Sequence, residues 1–189
     1  MTTFQATWRA EALKAMPMIA PARQFTYPLQ IAGEEDALAR GAMYVLVHPA
    51  AGATFLATCA LGFSSAAMPS GIWACPNPDE ICLVAGGYAY VVNTARPESC
   101  VHLAMRPVVE VLEASALAEK LLVFAGFHRL MAWGAKGLAW ETRRLSWEGL
   151  RIERVEGDSL RGFGWNLQTD KEAEFVVDLR TGECVGGGF

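Results

Sequence analysis

The sequence predicts an all-β fold built as an antiparallel meander of short strands. Two observations carry this prediction. From Tyr44 onward, short apolar runs alternate with turns that contain Gly, Pro, Asn or Asp, which is the pattern of antiparallel β-structure. A stretch whose tryptophan spacing suggests a helix is interrupted by glycines, and glycine disfavours a helix interior.

Length and composition predict one domain with a large core. The chain has 189 residues, of which 52% are hydrophobic and 19% charged, so disorder is not expected. A chain of this length suits one domain better than two. We expect a single domain over residues 1–189, with an N-terminal segment over 1–40 and a β-domain over 41–189.

The first forty residues differ from the rest of the chain. "TWRAEALKAM" is compatible with a short helix, and "GEEDALARG" suggests one further helical turn. Between them, Pro17, Pro21 and Pro28 favour an extended chain. The sequence therefore predicts a short, partly helical N-terminal segment that packs against the β-domain.

Eight apolar runs after this segment predict strands. Each run is short and is bounded by turn residues. In chain order they are "YVLV", "TFLATCALGF", "EICLVAG", "YAYVV", "VVEVLE", "KLLVFAG", "LRIERV" and "EFVVDL".

Three tryptophans recur at a regular interval. Trp133, Trp140 and Trp147 are seven residues apart, which would stack them on one face of a helix. Three glycines lie in the same stretch, and each costs about 1 kcal/mol relative to alanine in a helix interior. We therefore predict a strand, a "GAKG" turn, a strand, a "WEGL" turn and a strand. The indoles then either pack into the core and shield sheet edges, or form a platform for a ligand.

Four turn-forming positions recur along the β-domain. His48, Asn93, Trp133 and Asp178 each end an apolar run, and a Gly or Pro follows each of them four positions later. Their spacings are 45, 40 and 45 residues. A period of about 40–45 residues in an all-β chain is the length of one four-stranded propeller blade. We expect a small, propeller-like fold of about four blade-like units, with a β-sandwich as the alternative.

Two of these segments, "YVVNTARPE" and "FVVDLRTGE", resemble the third strand and turn of quinoprotein-like and WD40-like propeller blades. In such blades the strand runs into an Asp-x-x-Thr-Gly turn, and residues 178–182 match that turn. The stretch from Leu121 to Asn166 also resembles a pattern found in uncharacterised bacterial proteins. The resemblance implies a bacterial, repeat-containing all-β protein and carries no activity or cofactor.

Motifs for common cofactors and metals are missing from the sequence. No Gly-rich phosphate-binding pattern precedes a helix. Cys100 and His102 share one face of a predicted strand, but no Cys-x-x-Cys pair supplies the other half of a zinc site. The five cysteines are scattered, without an export signal, so most should be small buried hydrophobes rather than disulfides. We expect no cofactor and no metal.

No catalytic constellation is recognisable either. The serines of "GFSSAAMPSG" depart from the Gly-x-Ser-x-Gly pattern of an activated nucleophile. His48, His102 and His128 lie in or beside apolar strands, where a hydrogen-bonded structural imidazole is commoner than a general base. The sequence names no catalytic residue, so enzyme activity stays open and a non-enzyme is favoured.

The charge distribution argues against nucleic acid and membranes as partners. A net charge of -4 gives no long-range attraction to phosphates or anionic lipids. Within residues 133–161 a basic cluster meets almost as many acidic residues, which predicts cross-strand ion pairs on a solvent face. The cluster consists of Lys136, Arg143, Arg144, Arg151, Arg154 and Arg161. No membrane-spanning run and no signal-peptide core occur, so a cytoplasmic location is expected.

Two functions remain open. The favoured one is a non-catalytic binding or scaffolding module, in which an aromatic patch docks a protein partner or a second copy of the chain. The alternative is a binding protein or hydrolase for a small ligand such as a carbohydrate, with a tryptophan platform and dispersed histidines and carboxylates. The loop over residues 75–80, "CPNPDE", is either a recognition loop or a tight connection. The candidate binding residues are Trp133, Trp140, Trp147, His128, Asn77 and Asp79.

Overall fold

The computed structural model describes residues 4–28, 38–116 and 119–189, and these residues form an all-β fold. They contain sixteen strands and no helix. The strands make four sheets of four strands each. The chain divides into two compact units, Met1–Pro107 and Val108–Phe189, and each unit holds two of the sheets. The all-β prediction is confirmed, while the predicted single domain stays a prediction.

The first unit contains eight strands. They are β1 (Trp8–Leu13), β2 (Arg23–Tyr27), β3 (Ala42–Pro49), β4 (Phe55–Ala60), β5 (Gly71–Ala74), β6 (Glu80–Ala85), β7 (Tyr88–Asn93) and β8 (Cys100–His102). One sheet has the order β1-β3-β4-β2, and β2 runs parallel to β4. The other sheet, β5-β6-β7-β8, is a plain antiparallel meander.

The core of the first unit is shared by its two sheets. Phe55 on β4 and Tyr90 on β7 are fully buried members of the same hydrophobic cluster. The Tyr90 hydroxyl donates to the Ala60 carbonyl at 2.9 Å, and the Tyr27 hydroxyl donates to the Pro97 carbonyl at 2.6 Å. Each buried hydroxyl is therefore satisfied. The Tyr90 bond joins the two sheets, and the Tyr27 bond joins β2 to the connection between β7 and β8.

The predicted helix in "TWRAEALKAM" is wrong, because these residues form β1. Trp8 and Ala10 pack against the core, while Arg9 and Glu11 are exposed, which is the two-residue alternation of a strand. All six residues of β1 pair with β3. This non-local pairing outweighs the local preference of Ala, Glu and Leu for helix. The helical turn predicted in "GEEDALARG" falls mainly on residues 33–37, outside the described residues.

The second unit also contains eight strands, in two antiparallel meanders. They are β9 (Glu110–Ala116), β10 (Glu119–Ala125), β11 (Leu130–Gly134), β12 (Gly137–Glu141), β13 (Leu150–Glu156), β14 (Ser159–Asn166), β15 (Lys171–Asp178) and β16 (Cys184–Gly186). The sheet orders are β12-β11-β10-β9 and β13-β14-β15-β16. The predicted "GAKG" turn connects β11 to β12.

The eight predicted apolar runs all contribute to strands of the structure. His48, Asn93, Trp133 and Asp178 lie on β3, β7, β11 and β15, so each of the four sheets carries one of these positions. The propeller-like or sandwich arrangement of the sheets stays a prediction.

Trp140 is a buried, hydrogen-bonded member of the hydrophobic core of the second unit. Its indole Nε1 donates to the Leu179 carbonyl at 2.7 Å, so a strand of one sheet is tied to the segment that follows β15 in the other. Gly182 lies against it with φ of +75, and a Cβ there would approach the Trp140 Cβ to 2.8 Å. The close approach leaves room for glycine alone.

Replacing Gly182 by alanine tests this packing, and Gly149 provides the matched control. Gly149 has nearly the same φ, +73, but a Cβ at this position would have no neighbouring atom within 4 Å. Both substitutions carry the cost of about 1 kcal/mol for a positive φ, but only Gly182→Ala adds a clash, of about 1–3 kcal/mol. Urea unfolding monitored by tryptophan fluorescence should show the larger loss for Gly182→Ala. Equal losses would contradict the packing of Trp140 against Gly182.

Candidate functional site

Trp133 and Trp140 do not form a surface patch with Trp147. Trp133 is 6% exposed and Trp140 is 7% exposed. Trp140 belongs to the hydrophobic cluster of the second unit, because its position on β12 turns the indole to the core face of that strand. Trp133 and Trp140 are therefore core residues. Of the three tryptophans, Trp147 alone is partly exposed to solvent.

Trp147 belongs to a group of side chains that we name the aromatic–arginine cluster: Phe127, His128, Arg144, Trp147 and Phe189. The Arg144 Cζ atom lies 4.9 Å from the Trp147 ring centroid and 4.5 Å from the Phe189 ring centroid. The Trp147 and Phe189 rings are 4.8 Å apart. His128 Nδ1 lies 3.5 Å from Arg144 Nη2, and its ring is 6.4 Å from that of Phe127. The five side chains are therefore continuous.

Backbone carbonyls hold Arg144 in place at the centre of this cluster. Its Nε donates to the Ser146 carbonyl and its Nη2 donates to the Trp147 carbonyl, both at 3.0 Å. The neighbouring Arg143 donates to the Gly186 carbonyl at 2.7 Å and to the Phe189 carbonyl at 3.4 Å. These bonds hold the segment that carries Phe189 beside Arg144.

The cluster presents apolar rings and nitrogen donors to solvent. Phe189 is 54% exposed and Phe127 is 39% exposed, and His128 is exposed as well. None of the five members supplies a hydroxyl, a thiol or a carboxylate. The polar groups that the cluster offers are the guanidinium of Arg144 and the imidazole of His128.

Asn77 and Asp79 serve the fold of the first unit. The Asn77 side-chain oxygen accepts from the Asp79 backbone N–H at 3.1 Å, which is an Asx turn. The Thr7 hydroxyl donates to Asp79 Oδ1 at 2.6 Å, and Thr94 donates through its N–H and hydroxyl to the Asp79 carbonyl. The loop over residues 75–80 thus ties the chain just before β1 to the second sheet, which favours the tight connection over the recognition loop.

The remaining histidines have structural surroundings. His48 Nδ1 lies 3.0 Å from the Thr54 hydroxyl. The His102 ring stacks on Tyr90 at 4.8 Å and lies 5.1 Å from the ring of Tyr88. These contacts agree with structural imidazoles.

Ion pairs cover the solvent face of the sheet that contains β13, β14 and β15. Arg151 pairs with Glu172 at 2.9 Å, Arg161 pairs with Glu174 at 3.2 Å, and Arg154 pairs with Glu153 and Glu156. The predicted cross-strand pairing is confirmed for Arg151 and Arg161, whereas both partners of Arg154 lie on its own strand, β13. The charges of the three arginines are therefore balanced within the chain.

A groove on the second unit was not anticipated from the sequence. Its cavity measures about 560 Å³, within the usual range of ligand pockets. The described lining residues include no tryptophan, and they come from segments that are far apart in the chain. Among them are Arg143, Ser159, Val176, Asp178, Glu183 and Cys184.

Asp178, which lines this groove, accepts hydrogen bonds from Arg180. Arg180 donates to the Asp178 carboxylate from its side chain and from its backbone N–H. These hydrogen bonds lower the pKa of Asp178 to about 2, since they favour the charged form. The carboxylate is thus a charged member of a turn at neutral pH and is not poised to take up a proton.

Among residues 4–28, 38–116 and 119–189, no group of three or more His, Cys, Asp or Glu side chains could hold a metal ion. The same residues contain no helix that is long and apolar enough to cross a membrane.

Comparison with known families and with curated proteins finds no relative for this chain. No model of a known family matches it, and a search of curated proteins finds no match.

The five cysteines should differ sharply in reactivity. Cys59 and Cys75 are buried, and burial raises the pKa of both thiols well above the usual value; burial also raises the pKa of Cys100 to about 12. The partly exposed Cys184 lines the groove. Because the thiolate is the reactive form, iodoacetamide should alkylate Cys184 first in the folded protein. Peptide mass mapping over time checks the order, and equally fast labelling of Cys100 would contradict it.

Proposed function

We propose that this chain is a non-catalytic binding module that docks a protein partner through the aromatic–arginine cluster. The observation that carries the proposal is the stack of Trp147, Arg144 and Phe189. Phe189 is exposed at the rim of this stack, and the Arg144 guanidinium at its centre is held by hydrogen bonds to backbone carbonyls. We also propose that the protein is cytoplasmic and binds neither nucleic acid nor membranes.

The residue types of the cluster support docking. Trp, Tyr and Arg dominate the binding energy of protein interfaces, where they fill pockets of the partner. A guanidinium over an aromatic face is also stabilised by the ring quadrupole. Because Arg144 is already fixed by carbonyl acceptors, its ordering adds little entropic cost when a partner binds.

The ligand-platform alternative has less support. It requires exposed indoles, but Trp133 and Trp140 are buried. The groove beside Cys184 has a suitable volume, yet its described lining residues offer no ring for a sugar to stack on. The polar groups assigned to that alternative are also dispersed, since Asn77 and Asp79 are bonded within the first unit.

Site-specific photo-crosslinking tests the proposal. A photoreactive phenylalanine analogue placed at position 189 should give a discrete adduct with one protein in living cells. The matched control is the same analogue at Leu138, because Leu138 is 55% exposed and Phe189 is 54% exposed in the same unit. Leu138 should give no such adduct.

Substitution within the cluster sharpens the result. Trp147→Ala in the chain labelled at position 189 should abolish the adduct while the protein stays folded by circular dichroism. Adducts of equal yield at positions 138 and 189, or an adduct at 189 that survives Trp147→Ala, would overturn the proposal. The absence of any adduct at 189 would do the same.

A further inference from the structure

Strand β1 is an edge strand with an open hydrogen-bonding side. Among the described residues it pairs with β3 alone. The Ala50 N–H donates to the Thr7 carbonyl at 2.7 Å, and Pro49, which has no N–H, lies opposite Trp8. Hydrogen-bonded and non-hydrogen-bonded pairs alternate along an antiparallel ladder. The backbone groups of Trp8, Ala10 and Ala12 therefore point away from β3, to the open edge.

Two opposite charges flank Ala10 on the exposed face of this strand. Arg9 and Glu11 are both exposed, and within the described part of the chain neither makes an ion pair. A shallow cavity of about 370 Å³ lies against the same face and is lined by Arg9, Ala10, Glu11 and His48. The edge therefore has unused backbone groups and unused charges.

We propose that β1 pairs antiparallel with β1 of a second copy of this chain, about a two-fold axis at Ala10. In this register Arg9 of each copy lies opposite Glu11 of the other, which gives two ion pairs. Trp8 of each copy lies opposite Ala12 of the other, so a large side chain meets a small one. The interface is self-complementary, as a two-fold dimer requires.

Charge and backbone geometry select this register over its neighbours. An axis at Arg9 or at Glu11 would place two like charges directly opposite each other, which is unfavourable. An axis between Ala10 and Glu11 would place Arg9 opposite Ala12 and lose both ion pairs. With the axis at Ala10, the two Ala10 residues exchange hydrogen bonds through their outward groups. Arg9 and Glu11 then form the non-hydrogen-bonded pair, in which opposite side chains are closest.

A charged edge ordinarily prevents unwanted pairing with other strands. The opposite charges of Arg9 and Glu11 on β1 are matched by an antiparallel copy of the same strand. Because the contact is one strand pair of six residues, the dimer should be weak and depend on protein concentration.

Charge exchange at the two positions provides the test. Sedimentation velocity over a range of concentrations should show a monomer–dimer equilibrium for the wild-type chain. Arg9→Glu puts two carboxylates opposite each other in both pairs and should weaken the dimer by roughly tenfold. Glu11→Arg should do the same with two guanidinium groups. The double variant Arg9→Glu, Glu11→Arg restores opposite charges and should recover the wild-type dimer.

Mixing and backbone variants complete the design. An equimolar mixture of the Arg9→Glu and Glu11→Arg chains should form a heterodimer, since every facing pair is then of opposite sign. Ala10→Pro removes an N–H that β3 does not use, so it should abolish the dimer while near-ultraviolet circular dichroism stays unchanged.

A wild-type chain that stays monomeric at the highest concentration, or single variants that dimerise as well as wild type, would overturn the inference. The contact uses no residue of the aromatic–arginine cluster, so the Trp147→Ala and Arg9→Glu results separate the two proposals.

Discussion

Burial of the central strands in two of the four sheets, β5-β6-β7-β8 and β12-β11-β10-β9, is the constraint on which the rest of the structure depends. On β6, β7, β10 and β11 nearly every residue is buried on both faces. The side chains of these strands are not exposed for binding, because each side chain fills space in a close-packed core. The exposed groups of both proposed surfaces lie outside these strands, on the edge strand β1 and on the segments between and after strands that carry the aromatic–arginine cluster.

The tryptophans show how this constraint separates residues of one type. Trp140 lies on the core face of β12 and satisfies its N–H with the Leu179 carbonyl. Trp147 lies in the connection between β12 and β13, where no facing sheet encloses it and Arg144 covers one face of its ring. The first indole stabilises the packing of two sheets, and the second is partly exposed, as the proposed docking surface requires. Their equal spacing in the chain carries no functional meaning.

Much of the fold could be predicted from local pattern, because the central strands are continuous apolar runs bounded by turn residues. β1 could not, because the helix preference of "WRAEAL" is local whereas its pairing with β3 spans more than thirty residues. The aromatic–arginine cluster was only partly predictable. Trp147 and His128 are candidates from the sequence, whereas the sequence predicts Arg144 only as part of an ion-paired solvent face. Nothing in the sequence places Phe189 beside them, because hydrogen bonds from the Arg143 guanidinium to the Gly186 and Phe189 carbonyls hold that segment there. Asn77 and Asp79 have the composition of a recognition loop, and only their contacts with Thr7 and Thr94 reveal a structural role.

The most direct test of this account compares the free energy of unfolding of Trp140→Ala with that of Trp147→Ala. The account predicts a loss of about 3–5 kcal/mol for Trp140→Ala, the cost typical of removing a buried aromatic ring. For Trp147→Ala it predicts a much smaller loss, because the indole is partly exposed and no buried hydrogen bond is broken. Equal losses for the two variants, or a larger loss for Trp147→Ala, would contradict the division between a core tryptophan and a docking tryptophan.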